Sequence, residues 1–172
     1  MKVIMVMVSS VNGKITNGDN SDIYEWTSDE DQRVFLSLKK AHRLIIMGRK
    51  TYEVAKKNMR LNTKALRIVI THNPKRFKNI PGQIEFTNES PSALITRLSN
   101  YSSALLVGGG EINALFLKEH LVSEIHVTIE PWLLGRGKSL VEEMDSQIQL
   151  QLVSTKKLNE KGSMHMIYKV IT

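Results

Sequence analysis

Cysteine is absent from the 172 residues. That excludes disulfides, thiolate metal sites and a cysteine nucleophile. Aromatic residues make up only 6% of the chain, and no stacking motif of the kind found on RNA-recognition sheets is visible. Long apolar runs are missing too, and none reaches the length of a membrane span. The N-terminal "MKVIMVMVSS" has too short an apolar stretch, and no clean small-residue cleavage site, for a secretory signal. It is expected to be a first β-strand. The histidines, at 42, 72, 120, 126 and 165, are scattered. No two of them share a helix face at metal-ligand spacing, so no metal is expected. Repeats, low-complexity tracts and linkers are also lacking. The chain therefore reads as one domain, residues 1–172, of a cytoplasmic protein that meets neither membrane nor nucleic acid.

The net charge is +7. The cations are spread along the chain rather than gathered in a stripe, which favours a small phosphorylated ligand over a nucleic acid. Strand and helix patterns alternate. Residues 2–8 are apolar and valine-rich, as a buried strand requires. In "DEDQRVFLSLKKAH", 29–42, Val34, Leu38 and Ala41 fall on one helix face. A strand at 43–47 leads to a short helix at 49–58. Strands follow at 66–71 and 83–87, and a helix starts near Pro91 with Ser90 as its N-cap. Then come a strand at 104–107, a helix at 111–120 and a strand at 123–130. Residues 148–158 and 163–171, joined by "NEKG", read as an antiparallel hairpin. The pattern predicts an α/β fold: a mostly parallel central sheet with helices on both faces and an antiparallel C-terminal hairpin.

Parallel sheets bind ligands beyond the carboxyl ends of their strands. Gly108, Gly109 and Gly110 stand at such an end and lead into a helix. Two readings fit them equally: a tight turn that needs positive φ, or a cradle where a pyrophosphate approaches the backbone and the helix N-terminus. The nucleotide fingerprint G-x-G-x-x-G is absent, because position 113 is Asn113. "GRGKS", 135–139, fails as a P-loop because that motif requires glycine at 132, which is Trp132. A second junction tips the balance. "LIIMGRKTYE", 44–53, also runs from strand through glycine to helix, and it brings Gly48, Arg49, Lys50 and Thr51 to the helix start. Arginine, lysine and threonine all donate to phosphate. Thr71 and His72, at the end of another strand, add donors on the same edge.

"MGRKTYE" and "VGGGEIN" together resemble the dihydrofolate reductase fold. "SSVNGKI", 9–15, and "HLVSEIHVTIEPWLLGRGKSL", 120–140, resemble the reductase domain of the bifunctional riboflavin-biosynthesis deaminase–reductase and its stand-alone relatives. The resemblance implies an NADPH-dependent reductase with a small-molecule substrate, and a homodimer. It implies that Gly48 to Thr51 meet the phosphates of NADPH, and that Gly108, Gly109, Gly110, Glu111 and Ile112 meet its pyrophosphate and nicotinamide side. Arg49, Lys50 and His72 suit a 2′-phosphate, hence NADPH rather than NADH. Ser10, Asn12, Gly13 and Lys14 form the loop that the family places near nicotinamide and substrate, where Lys14 is either a phosphate ligand or a surface lysine. The dihydrofolate reductases carry a carboxylate five residues after a tryptophan, and Trp26 puts Asp31 at that position. Asp31 reads either as the acid that protonates a C=N or C=O group or as part of a helix cap with Ser28. Glu130 either faces the site or ends its strand. Two family features are missing. The segment "KKNMRLNTK", 56–64, has no Asp-Pro, and Gly108 stands where a glutamate is usual. Both positions bear on the substrate. The expected activity is thus hydride transfer to a C=N or C=O group of a small heterocyclic or phosphoribosyl-type substrate. The alternatives are a true dihydrofolate reductase and a non-catalytic NADP-binding protein.

Overall fold

The computed structural model describes residues 1–61 and 64–171. Its main elements are β1 (Lys2–Ser10), α1 (Asp29–Ala41), β2 (Leu44–Gly48), α2 (Arg49–Ala55), β3 (Leu66–Ile70), β4 (Ile84–Thr87), α3 (Pro91–Arg97), β5 (Ser103–Leu106), α4 (Gly110–Lys118), β6 (Glu124–Glu130), β7 (Gln149–Lys157) and β8 (Met164–Ile171). They build one eight-stranded sheet in the order β4-β3-β2-β5-β1-β6-β8-β7. From β4 to β6 every pairing is parallel, and β8 and β7 add antiparallel strands at one edge. This is the expected architecture. β2 shows why: every residue of "LIIMG" is buried, as a parallel strand covered on both faces demands.

Alternate residues along the strands feed two cores. On one face Ile4, Val6 and Leu105 meet Phe35 and Leu38 of α1, while Ile45, Met47 and Val69 meet Tyr52 of α2. On the other, Val3, Met5, Ile46 and Leu106 pack against Leu94 and Leu98 of the α3 region and Phe116 of α4. Helices thus cover both faces. Ser28 and Ser90 cap α1 and α3, each accepting a hydrogen bond from the backbone N–H three residues on. None of the described helices is long and apolar enough to cross a membrane.

Three expectations need correction. The helix expected at 49–58 stays α-helical only to Ala55 and closes with a 3₁₀ turn over Lys56–Asn58. Ala41 is exposed, because α1 turns Asp31, Phe35 and Leu38 inward instead. The helix expected at 111–120 runs from Gly110 to Lys118. Within the motif segment 56–64, residues 62 and 63 lie outside the described residues.

Because β1 to β6 are parallel, their carboxyl ends share one edge. Along it stand Thr87, Thr71, Gly48, Gly108, Ser10 and Glu130, in the order of their strands.

Candidate active site

The two strand–glycine–helix junctions meet at this edge. The Gly48 N–H donates to the Gly108 carbonyl at 2.8 Å, just beyond the bond from Val107 N–H to the Ile46 carbonyl. Gly48 is the N-cap of α2 and Gly109 that of α4, and neither helix has a side-chain cap. Two helix starts that leave backbone donors without a side-chain acceptor therefore lie side by side.

The glycines have separate reasons. A Cβ on Gly48 would lie 2.8 Å from Cγ1 of Ile112, so Ile112 packs into the space that glycine leaves. Gly108 has φ +84°, and a Cβ there would also press on the Met7 side chain at 2.9 Å. The Gly108–Gly109 peptide is cis. A Cβ on Gly110 would collide with the Ser139 carbonyl. Close approach at these positions is therefore to the chain itself. Gly109 differs: its nearest neighbours, Thr51 Oγ1 at 3.6 Å and Ile15 Cδ1 at 3.9 Å, sit at ordinary contact distance. It is the glycine of the three where a Cβ would meet no close contact, and Thr51 is beside it.

The cations are paired. Arg49 Nη1 donates to Glu53 at 2.7 Å, and Lys50 Nζ to Glu111 at 3.1 Å. All four side chains are at least 39% exposed, and pairs of this kind contribute about 0–1 kcal/mol. Glu111 joins the site as the partner of Lys50. Thr71 is buried, and its hydroxyl accepts from the Asn73 N–H, while His72 is exposed at the strand end.

The loop after β1 and the stretch after β6 hold each other. Asn12 Nδ2 donates to the Leu134 carbonyl at 2.7 Å, and Leu134 N–H returns a bond to Asn12 Oδ1 at 3.1 Å. Val11 N–H bonds the Trp132 carbonyl, Ile15 N–H the Lys138 carbonyl, and Leu140 N–H the Gly13 carbonyl. Gly13 has φ +74°. The Ser10 hydroxyl donates to Asn12 Oδ1. The Lys14 ammonium lies 3.4 Å from the Ser139 hydroxyl. Asn113 is fully buried and donates from Nδ2 to the Leu140 carbonyl, so the same stretch is tied to α4.

Asp31 sits at the first turn of α1 with 8% of its surface exposed. Burial pushes its carboxyl up to about 6 from 3.8; the nearby Thr128 hydroxyl opposes that shift, and the Glu130 carboxylate adds to it. Ser28 caps the helix by accepting from Asp31 N–H at 3.3 Å. Its backbone thus completes the cap, and its side chain is a buried carboxyl. Glu130 is 2% exposed and faces inward. It accepts from Ser28 N–H at 2.8 Å, from the Ser28 hydroxyl at 2.7 Å and from the Ser163 hydroxyl. It therefore ties the start of α1 to β6 and to the turn before β8.

Sequence reasoning missed Thr128, Ser163, Asn159 and His165. Thr128 Oγ1 is 3.1 Å from His165 Nδ1. Asn159 accepts from the Gly162 and Ser163 N–H groups and donates to Glu30. One signal was available: "EIHVTIE" is polar at every second position, which places Glu124, His126, Thr128 and Glu130 on one face of β6.

The family profile described as RibD C-terminal domain matches residues 1–162. Among curated proteins, the uncharacterized protein YwjB of Bacillus subtilis (strain 168) is 27% identical over 96% of this chain and 97% of its own length. Among solved structures, a Shewanella sp. PV-4 protein assigned to riboflavin biosynthesis aligns over 100% of both chains with TM-score 0.83 and 19% identity. A dihydrofolate reductase from Enterococcus faecalis, complexed with NADP(H), aligns over 99% of this chain and 97% of its own with TM-score 0.73 and 15% identity. The fold is thus dihydrofolate-reductase-like.

Proposed function

This chain belongs to the RibD C-terminal domain family, and from that premise we propose that it is an NADPH-dependent reductase. It transfers a hydride to a C=N or C=O group of a small heterocyclic or phosphoribosyl-type substrate. The observation that carries the reading is the pairing of two helix starts without side-chain caps, α2 and α4, through the Gly48–Gly108 hydrogen bond. Helix N-termini attract phosphate, and the donors here fit a dinucleotide: the backbone at Gly109, the Thr51 hydroxyl beside it, and the cations Arg49 and Lys50. When bound, NADPH supplies the hydride. Arg49, Lys50 and His72 bind its 2′-phosphate, and exposed pairs such as Arg49–Glu53 exchange their carboxylates for phosphate at little cost.

Asp31 supplies the proton. Its carboxyl titrates near 6, so a useful fraction is protonated close to neutral pH, as general acid catalysis needs. Lys14, beside Ser139 on the loop that closes over β1, binds a substrate phosphate. The homodimer has a candidate surface in β7, an edge strand exposed along its whole length with Leu152 52% and Val153 61% exposed.

Calorimetric titration tests the reading. NADPH is expected to bind the wild type at least tenfold more tightly than NADH. Arg49→Ala is expected to weaken NADPH about tenfold, the loss of about 1.4 kcal/mol that one charge-assisted contact supplies, and to leave NADH unchanged. Equal affinity for the two nucleotides would refute the NADPH assignment, and binding of neither would refute the reductase.

A further inference from the structure

Asp31 sits on the first turn of α1, and helix ends fray unless something outside the helix holds them. The chain before α1 offers little hold: between β1 and α1 its one helical piece is a 3₁₀ turn over Ile23–Glu25. The hold comes from the far end of the sequence. In the turn between β7 and β8, the Asn159 amide donates to the Ser163 hydroxyl at 2.9 Å and to Glu30 at 3.1 Å. Asn159 Oδ1 accepts from the Gly162 and Ser163 N–H groups, both at 3.1 Å. One side chain thus braces the turn that carries Ser163.

The bonds beyond it have a fixed direction. Ser163 Oγ accepts from Asn159, and a hydroxyl has one proton to give. That proton goes to Glu130 Oε2. Ser28 Oγ accepts from the Asp31 N–H, and its own proton goes to Glu130 Oε1, which also accepts from the Ser28 N–H. Glu130 is 2% exposed and Ser163 1%. Bonds to a buried carboxylate are charge-assisted, and its donors are costly to lose. Packing alone does not hold the turn to α1. A cavity of about 480 Å³ opens there, with Ser28 and Glu30 on one side and Asn159 and Lys161 on the other.

We propose that Ser163 is a positioning residue for Asp31: through Glu130 and Ser28 it seats the first turn of α1, and with it the acid, against the end of β6. The proposal rests on the reading of Asp31 as the acid of the site. It gives the C-terminal hairpin a part in the chemistry beyond extending the sheet. The charged groups around this turn of α1 are Asp29 and Glu30 on the helix itself, Glu130 on β6, and Glu160 and Lys161 on the turn between β7 and β8. Glu30 is bonded to Arg33 and Asn159, and Glu160 to Lys157. Glu130 adds to the rise that burial gives the Asp31 carboxyl.

Amide hydrogen exchange and carbon-13 NMR of the aspartate carboxyls test this on the free protein. Ser163→Ala removes the donor to Glu130 Oε2. The Ser28 N–H is expected to exchange about tenfold faster, as the weakening of a bond to a charged group implies. Water then reaches the Asp31 carboxyl, and its midpoint is expected to fall from about 6 toward 3.8. Asn159→Ala loosens the turn but keeps the Ser163 hydroxyl, and is expected to give smaller changes in the same directions. Ser90→Ala removes the cap of α3 and controls for lost stability. It is expected to lower the melting temperature and to leave the Ser28 exchange rate and the Asp31 midpoint where they are. An Asp31 midpoint unmoved in Ser163→Ala, an unchanged Ser28 exchange rate, or equal changes in Ser90→Ala would overturn the positioning role. No nucleotide takes part, so that result would leave the reductase reading standing. Failure of NADPH to bind would conversely leave these shifts intact.

Discussion

The Asp31 carboxyl costs the fold stability at neutral pH. In the folded chain its carboxyl holds a proton up to about 6, against 3.8 for the ordinary group. Between those values the native state binds more protons than the unfolded chain, so stability falls as pH rises across that window. Above it the penalty is complete, and a shift of this size corresponds to about 1–3 kcal/mol. Asp31→Asn is therefore expected to be about 1–3 kcal/mol more stable than wild type in urea unfolding at about pH 8, and no more stable below about pH 4. On the proposed mechanism the same variant is also expected to lose reductase turnover, measured by NADPH oxidation. A residue that weakens the fold at neutral pH is better explained by chemistry than by packing. Ser28 has the opposite character. It caps α1 and also donates twice to Glu130. Ser28→Ala removes the cap and leaves a buried carboxylate short of a donor, and it is expected to cost about 1–3 kcal/mol by the same measurement.

In the turn from β5 into α4, Gly108 and Gly110 press on the chain itself, whereas Gly109 does not. Gly110→Ala sets a methyl against the Ser139 carbonyl. Backbone cannot yield as a side-chain tip does, so the loop at 132–140 is expected to shift, at a cost of about 1–3 kcal/mol. Gly109→Ala meets only ordinary contacts. It is expected to change thermal stability by less than about 1 kcal/mol, yet to weaken NADPH binding at least tenfold by setting a methyl where the proposed nucleotide approaches the backbone. A Gly109→Ala protein that binds as tightly as wild type would show that the ligand does not approach there. At this scale most of the sheet was legible in the sequence, because strands such as β2 are continuous apolar runs and the helices begin at serine caps or glycine turns. Asp31 was legible through its spacing from Trp26, but the burial of its carboxyl was not. Its neighbours Thr128 and Glu130 were not legible either, because they belong to β6, about a hundred residues on, and only the fold brings β6 beside the start of α1. The self-contacts of Gly48, Gly108 and Gly110 were hidden for the same reason: Ile112, Met7 and Ser139 belong to other elements.

The whole sheet gathers the site by its topology. Parallel order from β4 to β6 puts the carboxyl ends on one edge, with the cationic junction over β2, the glycine turn over β5 and the acid beside β6. In the proposed site a nucleotide bridging β2 and β5 would point across β1 toward Asp31. At the far side β7 lies open. If it joins a second copy, sedimentation velocity is expected to give a dimer for the wild type and a monomer for Leu152→Glu, with the nucleotide site of each chain undisturbed. A monomeric wild type would remove β7 as an interface. The central claim is that the two helix starts form one nucleotide site. Backbone amide shifts during an NADPH titration test it most directly. The account predicts that Gly48 to Thr51 and Gly109 to Ile112 shift together and saturate at a single dissociation constant, while β7 stays still. Shifts confined to one junction, or to neither, would contradict it.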